Sequence, residues 1–213
     1  MKKKIILSII LLMTFWGYSQ NDPIMADFGL INNTLITFEL TSEKDFVSHK
    51  NYSFVYNVDK EIQKRDSLYV LNLENKTIIL QDKFDEEDPA FTKYTYQFSV
   101  ANFLCFEVRY YEITTNLIIN QESGSITELL GEIIFSPDCK FIFVASKTIN
   151  YDPFQNTIEV YKIANNQIKL ITEYNIGNWI PDSIKWINNK TVLFVQKFNS
   201  NNTNYLKMTI SEN

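Results

Sequence analysis

The stretch Ile133-Ile-Phe-Ser-Pro-Asp-Cys-Lys-Phe-Ile-Phe-Val-Ala-Ser146, followed by Asn156-Thr-Ile-Glu-Val-Tyr-Lys-Ile163, decides the fold of this chain. Its apolar runs are rich in the β-branched and aromatic residues that pleated strands favour. Pro137 presets the backbone angle φ for a turn, and the carboxylate of Asp138 can bond back to the main chain two residues on. The stretch therefore predicts a strand, a Ser-Pro-Asp turn, a second strand, a loop and a third strand.

Similar strands recur along the rest of the chain, and no segment shows a convincing helical stripe. The third strand of each group begins near residue 68, 116, 157 or 204. This spacing of about 40 to 50 residues is the period of a four-stranded propeller blade. The predicted strands, blade by blade, are residues 35–40, 52–58, 67–73 and 77–81; 94–100, 103–113, 117–119 and 126–130; 133–135, 141–146, 157–163 and 168–174; and 184–187, 191–195 and 205–210.

The segment Phe135-Ser-Pro-Asp-Cys-Lys140 resembles the Ser-Pro-Asp-Gly-Lys repeat of TolB-type and WD-like β-propellers, with Cys139 in place of the usual glycine. The resemblance covers one blade well, and the other blades match by pattern alone. It implies a fold and no particular activity. We therefore predict an all-β protein, a small propeller of about four four-stranded antiparallel blades, with an open stack of β-meanders or a β-sandwich as the alternatives.

The fourth predicted blade has only three strands before the chain ends. The short apolar run Asp27-Phe-Gly-Leu-Ile31 directly precedes the first blade, which is expected to begin with residues 35–40. If this run supplies the missing outer strand, both ends of the chain lie in one sheet. Such closure removes two open sheet edges, which are otherwise sites of aggregation.

The N-terminus has the three parts of a secretory signal peptide. Met1 is followed by three lysines, residues 5–16 form an apolar run, and Gly17 and Ser19 put small residues before Gln20. The run is short for a membrane span, although an uncleaved anchor is the alternative. We predict a signal peptide over residues 1–19, a single domain over residues 20–213 without a transmembrane segment, and export to the periplasm or the exterior.

Composition narrows the range of partners. The net charge of -5 argues against nucleic acid, which requires a basic stripe. The single histidine, His49, has no second ligand at metal-binding spacing, so no metal or other cofactor is predicted. Cys105 and Cys139 are expected to remain two unpaired thiols, with a disulfide as the alternative in an oxidising compartment.

Blade geometry places residues 59–66, 82–93, 147–155 and 175–180 as loops on one face, where long loops on a rigid scaffold usually carry recognition. Residues 41–50 form the one long loop expected on the opposite face. Acidic and aromatic side chains on the loop-rich face are suited to hydrogen bonding and to flat apolar contact, respectively. The candidate binding residues are Asp82, Asp85, Glu86, Asp88, Tyr151, Phe154 and Trp179.

No residue set predicts catalysis. A nucleophile needs an adjacent base, and the chain has neither such a motif nor a glycine-rich phosphate loop. The sequence predicts an exported, non-catalytic binding protein for a protein or peptide partner, with a glycan as a further ligand class. The alternatives are a carbohydrate-binding protein or small carboxylate-pair glycosidase, and a structural component of an envelope assembly.

Overall fold

The computed structural model describes residues 27–31, 34–52, 54, 56, 58–84, 90–146, 156–177, 179–198 and 202–212, and these residues are almost entirely β-structure. The strands are β1 (Asp27–Ile31), β2 (Thr34–Thr41), β3 (Leu68–Asn72), β4 (Thr77–Gln81), β5 (Thr92–Val100), β6 (Phe103–Tyr110), β7 (Thr114–Asn120), β8 (Ile126–Leu129), β9 (Glu132–Phe135), β10 (Phe141–Ala145), β11 (Thr157–Ala164), β12 (Gln167–Asn175), β13 (Trp179–Asn188), β14 (Thr191–Phe198) and β15 (Thr203–Glu212). One helix, α1 (Glu43–Ser48), follows β2. No described helix is long and apolar enough to cross a membrane.

The strands form four antiparallel sheets, which confirms the predicted all-β, propeller-like fold class. The hairpin sheet is β3-β4, the second sheet β5-β6-β7-β8, the third sheet β9-β10-β11-β12, and the closing sheet β13-β14-β15-β2-β1. The second and third sheets are the predicted second and third blades. Their consecutive strands pair with their neighbours, as short turns between antiparallel strands require.

The Ser-Pro-Asp turn joins β9 to β10 through a network centred on Ser136. Its hydroxyl oxygen accepts from the N–H groups of Lys140 (3.1 Å) and Phe141 (3.0 Å) and donates to Asp138 Oδ1 (2.8 Å). Cys139 has φ 55°. This left-handed conformation favours glycine, which explains why related turns carry glycine there.

Three apolar cores lie between successive sheets. Tyr69 and Leu71 of the hairpin sheet pack against Phe106 of the second sheet. The second sheet packs against one face of the third sheet, for example through Cys105, whereas the other face of the third sheet packs against the closing sheet. In the second and third sheets, alternating side chains along a strand therefore serve two different cores, as in stacked propeller blades.

The closing sheet confirms that an N-terminal strand completes the last group, but it corrects which strand does so. The sequence assigned residues 35–40 to the first blade and Asp27–Ile31 to the last. Instead, β2 pairs along its whole length with β15, with Ile36 opposite Ile210 and Phe38 opposite Met208, and β1 pairs with β2 as a fifth strand. Ile36 and Phe38 are buried in the core shared with the third sheet, so apolar burial decides the pairing.

The first blade is correspondingly smaller than predicted. Tyr52, Phe54, Tyr56 and Val58 are not in a strand, and residues 53, 55 and 57 of the predicted strand lie outside the described residues. Tyr52 N–H instead donates to Trp186 O of the closing sheet (2.9 Å), and Phe54 and Tyr56 pack on the core between the second and third sheets. Only the hairpin sheet represents this blade among the described strands.

Candidate functional site

Asp82 directly follows β4, and its carboxylate holds elements together rather than facing solvent. It is 6% exposed. Lys64 Nζ donates to both carboxylate oxygens (2.7 and 3.0 Å), and the Tyr94 N–H donates to Oδ1 (2.9 Å). Lys64 also donates to the Tyr94 carbonyl. The pair therefore fixes the segment around residue 64 to the start of the second sheet.

Trp179 corrects a second expectation. The sequence placed it in an exposed loop, but it is the first residue of β13 and only 4% exposed. Its indole stacks on Phe194 with ring centroids 6.2 Å apart and an interplanar angle of 10°. Its Nε1 has no hydrogen-bond partner among the described residues. Trp179 thus belongs to the core between the third and closing sheets.

The other predicted binding residues, Asp85, Glu86, Asp88, Tyr151 and Phe154, lie outside the described residues. Their placement on the loop-rich face stays a prediction. Of the loops assigned to that face, the one over residues 59–66 is described throughout, and it borders a cavity of about 610 Å³.

This loop enters the hairpin sheet through a two-residue turn. Arg65 and Leu68 exchange both main-chain hydrogen bonds at 2.9 Å, and Asp66 and Ser67 between them have φ 46° and 68°. Positive φ at both central residues is typical of the tight turns that join antiparallel strands. The turn therefore brings the segment before Arg65 alongside β3. Beyond the Arg65–Leu68 bridge, however, this segment forms no strand pairing with β3 among the described residues.

A cleft of about 610 Å³ lies where the two arms of this turn separate, and we call it the β3 cleft. One wall is the segment of residues 59–65, the other is the length of β3, and Leu104 and Gln121 of the second sheet line it as well. The wall formed by β3 is fixed by packing, since Tyr69 and Leu71 of β3 are buried against the second sheet. The Asp59 N–H donates to the hydroxyl of Tyr96 in the second sheet (3.2 Å), and this bond ties the segment of residues 59–65 to that sheet.

The walls of the β3 cleft carry both signs of charge beside apolar surface. Asp59 and Glu61 supply carboxylates, and Arg65 supplies a guanidinium that forms no ion pair with a described residue. Leu68 and Leu104 supply apolar contact. Such a mixture fixes the orientation of a ligand while burying part of its apolar surface. The sequence predicted a charged loop here, but it gave no sign of the separation from β3.

The single histidine and the two cysteines do not line the β3 cleft. His49 is the C-cap residue of α1, and its Nδ1 lies 2.8 Å from the main-chain oxygen of Asp45. Cys105 and Cys139 are free thiols, as expected, and burial raises their pKa to about 12 and about 11, respectively. Within the described residues no three His, Cys, Asp or Glu side chains group as metal ligands do.

Comparison with known families supplies one match. The profile described as "Lactonase, 7-bladed beta-propeller" matches residues 49–210, about three quarters of the chain. No curated protein and no solved structure matches. The match supports a β-propeller, whereas the narrower TolB-type or WD-like assignment stays a prediction. The described strands form four sheets beside the seven blades of the family's description. By this match and its stacked antiparallel sheets, the chain belongs to the lactonase family of seven-bladed β-propellers.

Proposed function

We propose that this protein is an exported, non-catalytic binding protein that holds a protein or peptide partner in the β3 cleft. The observation that carries the proposal is the cleft itself, with main chain, carboxylates, a guanidinium and apolar side chains in one concave surface of about 610 Å³. Export is supported by the basic, apolar and small-residue series of residues 1–19. The non-catalytic part is supported by the absence from the sequence of a motif that pairs a nucleophile with a base.

Both walls of the cleft are held before a partner arrives. The Lys64–Asp82 pair attaches one wall to the second sheet, and the buried side chains of Tyr69 and Leu71 attach the other. A preformed site loses less conformational entropy on binding than a mobile loop does. The predicted contributors Asp85, Glu86, Asp88, Tyr151 and Phe154 are proposed to extend the contact surface beyond the cleft.

Site-specific photocrosslinking in the producing cells tests this proposal. A benzoyl-phenylalanine at Gln63, which lines the cleft, is expected to form a discrete adduct with the partner. The matched control carries the same group at Val47, which is 71% exposed on α1 and is not among the residues that line the cleft. Equal adducts from both positions, or none from Gln63, would contradict the proposal.

The family match favours a second candidate, a lactonase-like hydrolase. Lactone hydrolysis needs a base to activate water and a donor to stabilise the developing oxyanion. Asp59 or Glu61 and Arg65 are the residue types for these tasks in the cleft. Turnover of a sugar δ-lactone by the purified protein, lost in both Asp59→Asn and Arg65→Ala, would replace the binding proposal with this one.

A further inference from the structure

The edge of β3 that faces the cleft has unpaired main-chain groups. On its other edge β3 pairs with β4: the Ser67 carbonyl accepts from Asp82 N–H and Leu73 N–H donates to Lys76 O, both at 2.9 Å. The Leu68 N–H points to the edge away from β4 and donates to Arg65 O. Because consecutive residues of a strand alternate between its two edges, the N–H and C=O groups of Val70 and Asn72 point toward the cleft.

No described residue pairs with these groups. The sheet contains only β3 and β4, and Val70 and Asn72 exchange no main-chain hydrogen bond on the cleft side with a residue that the structure describes. At the start of this edge Arg65 pairs with Leu68. The preceding residues 59–64 form the opposite wall of the cleft and do not pair with β3 among the described residues. A row of unpaired donors and acceptors beside an open cleft is a template for another strand.

On these grounds, and resting on the function proposed above, we propose that the partner binds as an extended peptide that adds a strand to the cleft edge of β3. The main chain of the peptide pairs with Val70 and Asn72, as in other cases of strand addition. The six residues from Leu68 to Leu73 that line the cleft span about 20 Å, which accommodates a peptide strand of similar length.

The surroundings also define the side chains of the peptide. A strand beside β3 alternates its side chains between the two faces of the hairpin sheet. On one face they meet the cross-strand pair Val70 and Ile79, which are 50% and 62% exposed, and on the other they approach Leu104. The partner segment therefore has apolar residues on both faces, a basic residue for Asp59 or Glu61 and an acidic one for Arg65.

The test uses peptides selected on the full-length mature protein from a phage-displayed library of random linear 12-residue sequences. Val70→Pro removes one donor from the cleft edge without removing a bond to β4, and proline is tolerated at such edge positions. Val70→Thr keeps the N–H and serves as the matched control. We expect Val70→Pro to weaken the selected peptides at least tenfold and Val70→Thr to change their affinity less than threefold.

A second measurement leaves the protein unchanged, in case Val70→Pro does not fold. Methylating the peptide's amide nitrogens one at a time is expected to weaken binding at alternate positions only, because only every second N–H of an added strand faces β3. A library without binders, or methylation effects without alternation, overturns strand addition. If the Gln63 crosslink still forms a discrete partner adduct, the proposed binding function stands without strand addition; if that adduct is also missing, both fail. Concentration-dependent dimers that Val70→Pro abolishes would instead identify a second copy as the occupant.

Discussion

Asp82→Asn is the substitution that separates a structural role for this carboxylate from the binding role that the sequence predicted. The side chain is 2% exposed and its partner Lys64 is 25% exposed. Removing one member of a buried ion pair costs about 3–5 kcal/mol, since the remaining charge is left uncompensated. Because Lys64 keeps some contact with water, we expect a loss near the lower end, about 3 kcal/mol.

Urea unfolding at neutral pH, with the free energy taken from the midpoint and slope, measures this loss. Glu39→Gln is the matched control, because Glu39 pairs with Lys207 while its side chain is 53% exposed, and exposed pairs contribute at most about 1 kcal/mol. Adding Lys64→Met to Asp82→Asn should recover part of the loss by removing the unpaired charge. If Asp82→Asn costs no more than Glu39→Gln, the anchoring role of Asp82 is refuted.

Three further predictions concern the closing sheet, the thiols and export. Ile36→Ala should lower the free energy of urea unfolding by about 2–5 kcal/mol, because Ile36 is buried against the third sheet. Thr37→Ala, on the other face of β2, should lower it by under about 1 kcal/mol. Equal losses would contradict the pairing of β2 with β15. Iodoacetamide should label half-buried Cys139 before buried Cys105. Since the thiolate is the reactive form, the labelling rate at Cys139 should still rise between pH 9 and the pKa of this thiol, about 11. A rate that reaches its plateau below pH 9 would rule this out. The exported protein should have the intact mass of a chain beginning at Gln20, and retention of residues 1–19 would disprove the cleavage.

Alternation in the sequence predicted the second and third sheets because their partners are adjacent in the chain. Each hairpin there needs only a local turn, and the turn chemistry around Ser136 and Gly124 is visible in the residues themselves. The partner of β2 was mispredicted because its alternating pattern indicates a strand and a buried face but not which distant strand it joins. Its pairing with β15 depends on the burial of Ile36 and Phe38 in a core formed by two other sheets.

Helix α1 was predicted as a polar loop because none of its residues is buried, so it has no apolar stripe. A weaker signal was present: Ser42 caps the helix by accepting from the Asp45 N–H (3.0 Å), the arrangement that a serine three residues before an acidic residue indicates. Trp179 was misplaced because residues 175–180 were assigned to a loop and the next strand was expected only over residues 184–187. A proline is tolerated within β13, which is the edge strand of its sheet.

The β3 cleft was beyond sequence reasoning for a physical reason. The charged residues 59–66 indicate a loop, but the place where this loop leaves β3 is set by the Lys64–Asp82 pair and by packing against the second sheet. Neither interaction joins neighbours in the chain. The sequence placed this loop on the expected recognition face, and the structure shows that it forms one wall of the cleft; its role in recognition stays a prediction.

Residue-resolved amide hydrogen exchange of β3, followed by NMR, tests the open edge most directly. In the free protein the amides of Tyr69 and Leu71, which pair with β4, should exchange slowly, whereas those of Val70 and Asn72 should exchange fast. Adding a selected peptide should protect Val70 and Asn72 and leave the other two unchanged. Four equally protected amides in the free protein, or no new protection at Val70 and Asn72 when the peptide is bound, would contradict an unpaired strand edge that receives the partner.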